Sequence, residues 1–122
     1  MLDTSPLTAV LERFADRLRA APQSRLQQGA AAAALELARE LSVRAQRIES
    51  PGQAPKEVPD AGIFVVGDQV AVTGLDLAEA LRAASASADP AAASAPDSAK
   101  APSELLDEAV RLVEQAEIRA MR

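Results

Sequence analysis

Apolar side chains recur at three- and four-residue steps in several segments of this chain of 122 residues, and that rhythm is typical of helices that bury one face. In the first segment it runs from Leu7 to Leu18, directly after Pro6, a residue that suits the first turn of a helix. Alanine supplies much of the apolar content; it favours helix strongly but buries little area. We therefore expect one small helical domain with a thin core.

A second helix is predicted from Ser24 to Ile48, because Pro22 ends the first and the following run contains no proline. Its residues 29–34, from Gly29 to Ala34, include no bulky side chain, so another helix can approach closely there. Tight packing within the domain is the favoured interpretation. A docking groove for a partner helix is the alternative, and it requires these alanines to be exposed.

The segment after the proline-rich loop of residues 50–59 is ambiguous. Residues 63–73 are rich in β-branched side chains around Gly67, which indicates a β-hairpin and an α+β fold. However, the three-four rhythm continues from Ile63 to Leu81 across two glycines, as it would in a helix. We predict a helix from Asp60 to about Ala84 and keep the hairpin at about 63–73 as the alternative.

The remaining chain is divided into a linker and a final helix. Residues 85–102 are almost entirely alanine, serine, proline and aspartate, which bury too little area to offset the entropy of ordering, so a disordered linker is predicted. Residues 103–122 resume an amphipathic helical pattern. The predicted organisation is therefore a helical domain over 1–84, the linker, and a C-terminal helix that docks on 1–84 or on a partner.

The side chains that perform most protein chemistry are missing, since the chain has no histidine, cysteine, tryptophan or tyrosine. No disulfide, thiolate or imidazole metal site can form, and no spacing matches a known catalytic motif. Carboxylates lie close in sequence at Glu36 and Glu40, and again at Glu104, Asp107 and Glu108, but solvated helix faces explain them better than a metal site. We predict no enzyme activity, no catalytic residue, no cofactor and no metal.

Charge is unevenly distributed, with a net charge of −5 overall. Residues 1–56 carry a small positive excess and residues 57–122 a larger negative one, so the two halves should attract each other. Asp68 and Asp76 are expected to pair with arginines of the first half. Nucleic acid is a disfavoured partner of this acidic chain. A DNA-associated regulator remains the alternative function, with candidate contacts at Arg13, Arg17, Arg19 and Arg25.

The sequence thus predicts an all-α protein, a small antiparallel bundle of three or four helices, acting as a non-enzymatic interaction or regulatory module. Its partner would be another protein or a second copy of the chain. No small-molecule substrate is evident, no apolar run is long enough to span a membrane, and the predicted location is cytoplasmic. The candidate partner-binding residues lie on the last helix: Leu105, Leu106, Leu112, Val113 and Ile118.

Overall fold

The computed structural model describes residues 2–87 and 100–122, and helices account for most of them. No strand occurs in these ranges, so the predicted all-α fold is confirmed and the hairpin alternative is not observed. Four long helices pack together as a small bundle. The helices are α1 (Ser5–Ala20), the short α2 (Gln23–Arg25), α3 (Ala31–Glu49), α4 (Val66–Ala86) and α5 (Pro102–Ala120).

In the bundle α3 and α4 are parallel, whereas α4 is antiparallel to α1 and α5 is antiparallel to α3. Helix α4 runs antiparallel to α1: Gly74 lies against Leu11, and further along α4 the Arg82 Nη1 donates to Thr4 Oγ1 at 2.7 Å. Helix α3 is parallel to α4, because the segment of residues 50–65 returns the chain along α3. Arg39 Nε donates to the Val58 carbonyl within this return. Helix α5 runs antiparallel to α3, because Arg44 near the end of α3 pairs with Glu108 near the start of α5, and Glu36 lies beside the same groove as Arg119.

The predicted second helix is interrupted at Gly29. This residue has φ 131° and ψ −15°, a backbone conformation that residues other than glycine rarely adopt. Leu26–Ala30 form a wide helical turn around it. The Ala31 N–H donates to the Leu26 carbonyl, five residues earlier, across this turn. The prediction of a continuous helix from Ser24 to Ile48 is therefore wrong at Gly29, because the backbone is kinked at this residue.

Helix α4 begins at Val66, six residues later than the predicted start at Asp60. Gly62 has φ 102°, and a side-chain oxygen of Asp60 accepts the Gly62 N–H at 3.0 Å, which fixes a turn instead of a first helical turn. Ile63 packs partly buried against the core. The three-four rhythm that begins at Ile63 therefore extends beyond the helix itself.

The core contains one phenylalanine, Phe14, among leucine, valine and alanine side chains from all four long helices. Helix α5 contributes Leu106, Ala109, Val113, Ala116 and Ala120, all buried. The C-terminal helix thus packs on the rest of the same chain. Of the predicted linker, residues 88–99 lie outside the described residues, residues 85 and 86 belong to α4, and Pro102 belongs to α5.

Candidate interaction surface

The outward side of α4 carries apolar side chains that the bundle does not cover. Val72 and Leu75 are 57% and 51% exposed, and Phe64 and Val65, the two residues that precede the helix, are 74% and 41% exposed. Val65 has helical backbone angles, so its side chain continues the register of α4. Val65 and Val72 are seven residues apart, and Leu75 follows three residues later, so all three share one side of the helix. We call Val65, Val72 and Leu75 the α4 outer row.

The buried side of the same helix explains why the row faces outward. Gly67 and Gly74, seven residues apart, lie against α1, and a β-carbon at either position would come within 3.4 Å of α1 atoms. Val70, Leu77 and Leu81 fill the core. With this side fixed by the close approach of α1, the α4 outer row must face away from the core.

Acidic side chains border the α4 outer row. Asp68 accepts hydrogen bonds from Arg19 Nε and Nη2 at 3.1 and 2.7 Å, which ties α4 to α1. Asp76 and Glu79 are exposed, and neither forms an ion pair with any described residue. Glu12 lies on α1 two turns before Arg19, so it flanks the row from the neighbouring helix. The surface is therefore apolar along its centre and negative at its edges.

The five residues predicted to bind a partner through the last helix are placed differently from one another. Leu106 and Val113 are buried in the core, so their side chains already have partners within the chain. Leu105 and Leu112 are partly buried against the same core, and only Ile118 is largely exposed. The wide apolar face of α5 is used mostly for docking on its own domain.

Glu117 connects α5 to α1 through ion pairs. Its side chain is 8% exposed, and its carboxylate accepts hydrogen bonds from Arg13 Nη2 at 2.8 Å and Arg17 Nη1 at 3.1 Å. Burial raises the pKa of Glu117, but the hydrogen bonds and positive charges of Arg13 and Arg17 together outweigh that effect. The pKa of Glu117 consequently lies below its ordinary value of 4.5.

All four arginines considered as nucleic-acid contacts have partners within the chain. Arg13 and Arg17 bind Glu117, and Arg19 binds Asp68 and Asp16. Arg25 donates to the Arg122 carbonyl at 3.1 Å. The expected attraction between the two halves takes this form at Asp68, which pairs with Arg19, whereas Asp76 forms no ion pair with a described residue.

A shallow groove lies between α3 and α5. It consists of two adjoining depressions of about 540 and 520 Å³ that share Glu36, Arg119 and Arg122. Gly29 and Ala32 are exposed in it, whereas Ala30, Ala31 and Ala34 are buried. The small-residue stretch thus contributes mainly to internal packing and only partly to an open surface.

The carboxylates that were considered as metal ligands lie in ion pairs or in solvent. Arg44 bridges Glu40 at 2.9 Å and Glu108 at 3.3 Å, and Lys100 also pairs with Glu108 at 2.7 Å. The hydrogen bond from Lys100, assisted by Arg44, holds the pKa of Glu108 below its usual range. Across residues 2–87 and 100–122, no group of three or more acidic side chains is arranged to hold a metal ion.

Sequence reasoning missed the α4 outer row, although a signal for it was present. Phe64, Val65, Val72 and Leu75 all fall outside the apolar stripe that runs from Ile63 to Leu81. Large apolar residues off the buried stripe of an amphipathic helix predict an exposed apolar surface. The ambiguity between hairpin and helix concealed this signal, because on a strand the same residues would face differently.

Comparison with protein family models, with curated proteins and with solved structures gave no match to this chain. Among the helices in the described ranges, none is both long and apolar enough to cross a membrane.

Proposed function

We propose that this protein is a non-enzymatic interaction or regulatory module that binds another protein through the α4 outer row. The observation that supports the proposal is the alignment of Val65, Val72 and Leu75 on one exposed side of a well-packed helix. Single exposed apolar residues are common on protein surfaces, but an aligned row with a polar border is typical of a binding site.

The composition supports a binding role over a chemical one. The chain lacks histidine and cysteine. Glu117 is the most deeply buried carboxylate among the ion pairs, and its negative charge is balanced by Arg13 and Arg17. The grooves are shallow and open. Catalytic sites instead tend to combine a deep pocket with converging ionisable groups. The cytoplasmic location expected from the sequence stays a prediction.

A site-specific cross-linking experiment tests the proposal. Because the chain has no cysteine, a Val72→Cys variant carries a single thiol that can hold a photoactivated cross-linker on the α4 outer row. Arg111→Cys, at an exposed position of α5, provides the matched control. Both variants should keep the helical circular dichroism spectrum of the wild type, since exposed substitutions rarely change stability by more than about 0.5 kcal/mol.

We expect irradiation in an extract of cells that naturally make this protein to give one adduct of defined mass with Val72→Cys and none with Arg111→Cys. An adduct of twice the chain mass would identify a second copy as the partner. Equal adduct patterns from both variants would show that the α4 outer row has no special affinity for protein, and the proposal would then fail.

A further inference from the structure

We propose that the partner segment bound by the α4 outer row is a basic amphipathic helix, whose apolar side chains cover Val65, Val72 and Leu75 and whose lysines or arginines meet the surrounding carboxylates. This inference rests on the function proposed above and adds the chemical class of the partner. The spacing of the row and its charge carry the inference.

The spacing of the row is that of one side of a coiled coil. Positions 65, 68, 72, 75 and 79 follow alternating steps of three and four, which is the pattern that packs against another helix. Apolar residues occupy three of these positions, while Asp68 and Glu79 occupy the other two. A helix laid along α4 would therefore contact Val65, Val72 and Leu75 and would pass two carboxylates.

The charges around the row select a basic partner. Helix α4 itself carries three exposed carboxylates on or beside the row, those of Asp68, Asp76 and Glu79, and one basic residue, Arg82. Arg19 is engaged by Asp68 and Asp16, and Arg82 donates to Thr4. A helix with lysine or arginine beside its apolar stripe would pair with the remaining acidic groups.

A second copy of the chain fits the row poorly. Consider two copies of α4 packed antiparallel so that Val72 of one lies opposite Leu75 of the other. Asp68 then lies opposite Glu79, because positions 68 and 79 are centred on the same point of α4 as positions 72 and 75. A parallel pair sets each of these carboxylates opposite itself. In neither arrangement does a position of the row supply a basic partner for Glu79, and the parallel arrangement sets Glu79 against its own copy, which disfavours self-association.

Two designed peptides of about 18 residues, long enough to cover the row at 1.5 Å per residue, test the charge class. Both have leucine at the coiled-coil contact positions; one has lysine at the flanking positions and the other has glutamate. Binding of each fluorescently labelled peptide to the full chain is followed by anisotropy, and the contacted residues are located by amide chemical-shift changes.

We expect the lysine peptide to bind with shift changes centred on residues 64–79, and the glutamate peptide to bind at least tenfold more weakly. The variant Asp76→Asn/Glu79→Gln should weaken lysine-peptide binding roughly fivefold, as the loss of two exposed ion pairs implies. Glu104→Gln/Glu114→Gln on α5 removes the same charge elsewhere and should leave the affinity unchanged. Higher salt should reduce binding of the lysine peptide to the wild type.

The outcomes separate this inference from the proposed function. If the glutamate peptide binds the row as well as the lysine peptide does, the basic class is wrong while the row remains a binding surface. If neither peptide binds, or if shifts occur only in the groove between α3 and α5, the inference is overturned. A dimer that is observed by light scattering and abolished by Val72→Ser/Leu75→Ser would assign the row to a second copy instead.

Discussion

Gly74 of α4 and Leu11 of α1 occupy adjoining space at the closest approach of the two helices. A β-carbon built on Gly74 would lie 2.8 Å from Leu11 Cγ and nearer still to both of its methyl groups. Leu11 is fully buried, so its side chain cannot move aside into solvent. A glycine in the middle of a helix is unfavourable by roughly 1 kcal/mol relative to alanine, and here that penalty permits the tight packing of α1.

Gly74→Ala should therefore destabilise the protein, by about 1–2 kcal/mol after the gain in helix propensity is included. Chemical unfolding followed by circular dichroism measures the change. The matched control is Leu11→Ala, in whose background Gly74→Ala should become neutral or stabilising because the collision is removed. A destabilisation of equal size in both backgrounds would contradict the steric explanation.

Gly29→Ala should destabilise the protein although the position is exposed. The φ of 131° is the cause, because an alanine there is strained even though open space surrounds it. We expect a loss of about 1–3 kcal/mol in the free energy of unfolding. Gly52→Ala, also in open space but without a positive φ, is the control and should leave stability nearly unchanged. Equal stability of the two variants would rule out strain at the kink.

Val113→Ala and Ile118→Ala distinguish the two sides of α5. Val113 is fully buried, so its truncation should lower the free energy of unfolding by about 1–3 kcal/mol through lost burial and an added cavity. Ile118 is 59% exposed, and its truncation should change stability by no more than about 0.5 kcal/mol. Thermal and urea unfolding of both variants measure the difference. Similar small effects would mean that α5 is not part of the cooperative unit in solution.

Glu117 should make stability depend on acid pH. Since its pKa is lower in the folded chain than its ordinary value of 4.5, the stabilisation is fully present above about pH 4.5 and is lost as the pH falls through the folded pKa. Glu117→Gln should lower the free energy of unfolding by about 1–3 kcal/mol near pH 7, where charged hydrogen bonds to Arg13 and Arg17 are lost. Urea unfolding at neutral and at strongly acid pH tests this.

The difference between Glu117→Gln and the wild type should shrink as the wild-type carboxyl becomes protonated. Glu114→Gln, an exposed change on the same helix, should show little effect at either pH. A difference that stays constant from neutral to acid pH would indicate that the side-chain packing of Glu117, and not its charge, stabilises the junction of α1 and α5.

The sequence predicted that these segments are helical and which side of each is buried, because the three- and four-residue spacing of apolar side chains is a local property of each segment. The rhythm from Leu7 to Leu18 predicted one buried side for α1, and Leu7, Leu11, Phe14 and Leu18 on that side are all buried. The same rhythm gave the helical nature of residues 66–81 despite two glycines. Sequence reasoning also identified α5 as an amphipathic helix with its own apolar side.

The tertiary structure determined which helices approach each other. It therefore also determined the role of residues such as glycines that depart from the helical pattern. Gly29 and Gly74 look alike in the sequence, yet one provides a backbone conformation and the other provides space for Leu11. Asp68, one ion partner of Arg19, lies 49 residues from it, and the partners of Glu117, Arg13 and Arg17, lie 104 and 100 residues away, beyond any local pattern. Whether Val72 and Leu75 face a neighbour or solvent depends on the packing around α4. Local periodicity fixes the sides of a helix, but only the positions of the other helices determine which sides remain exposed.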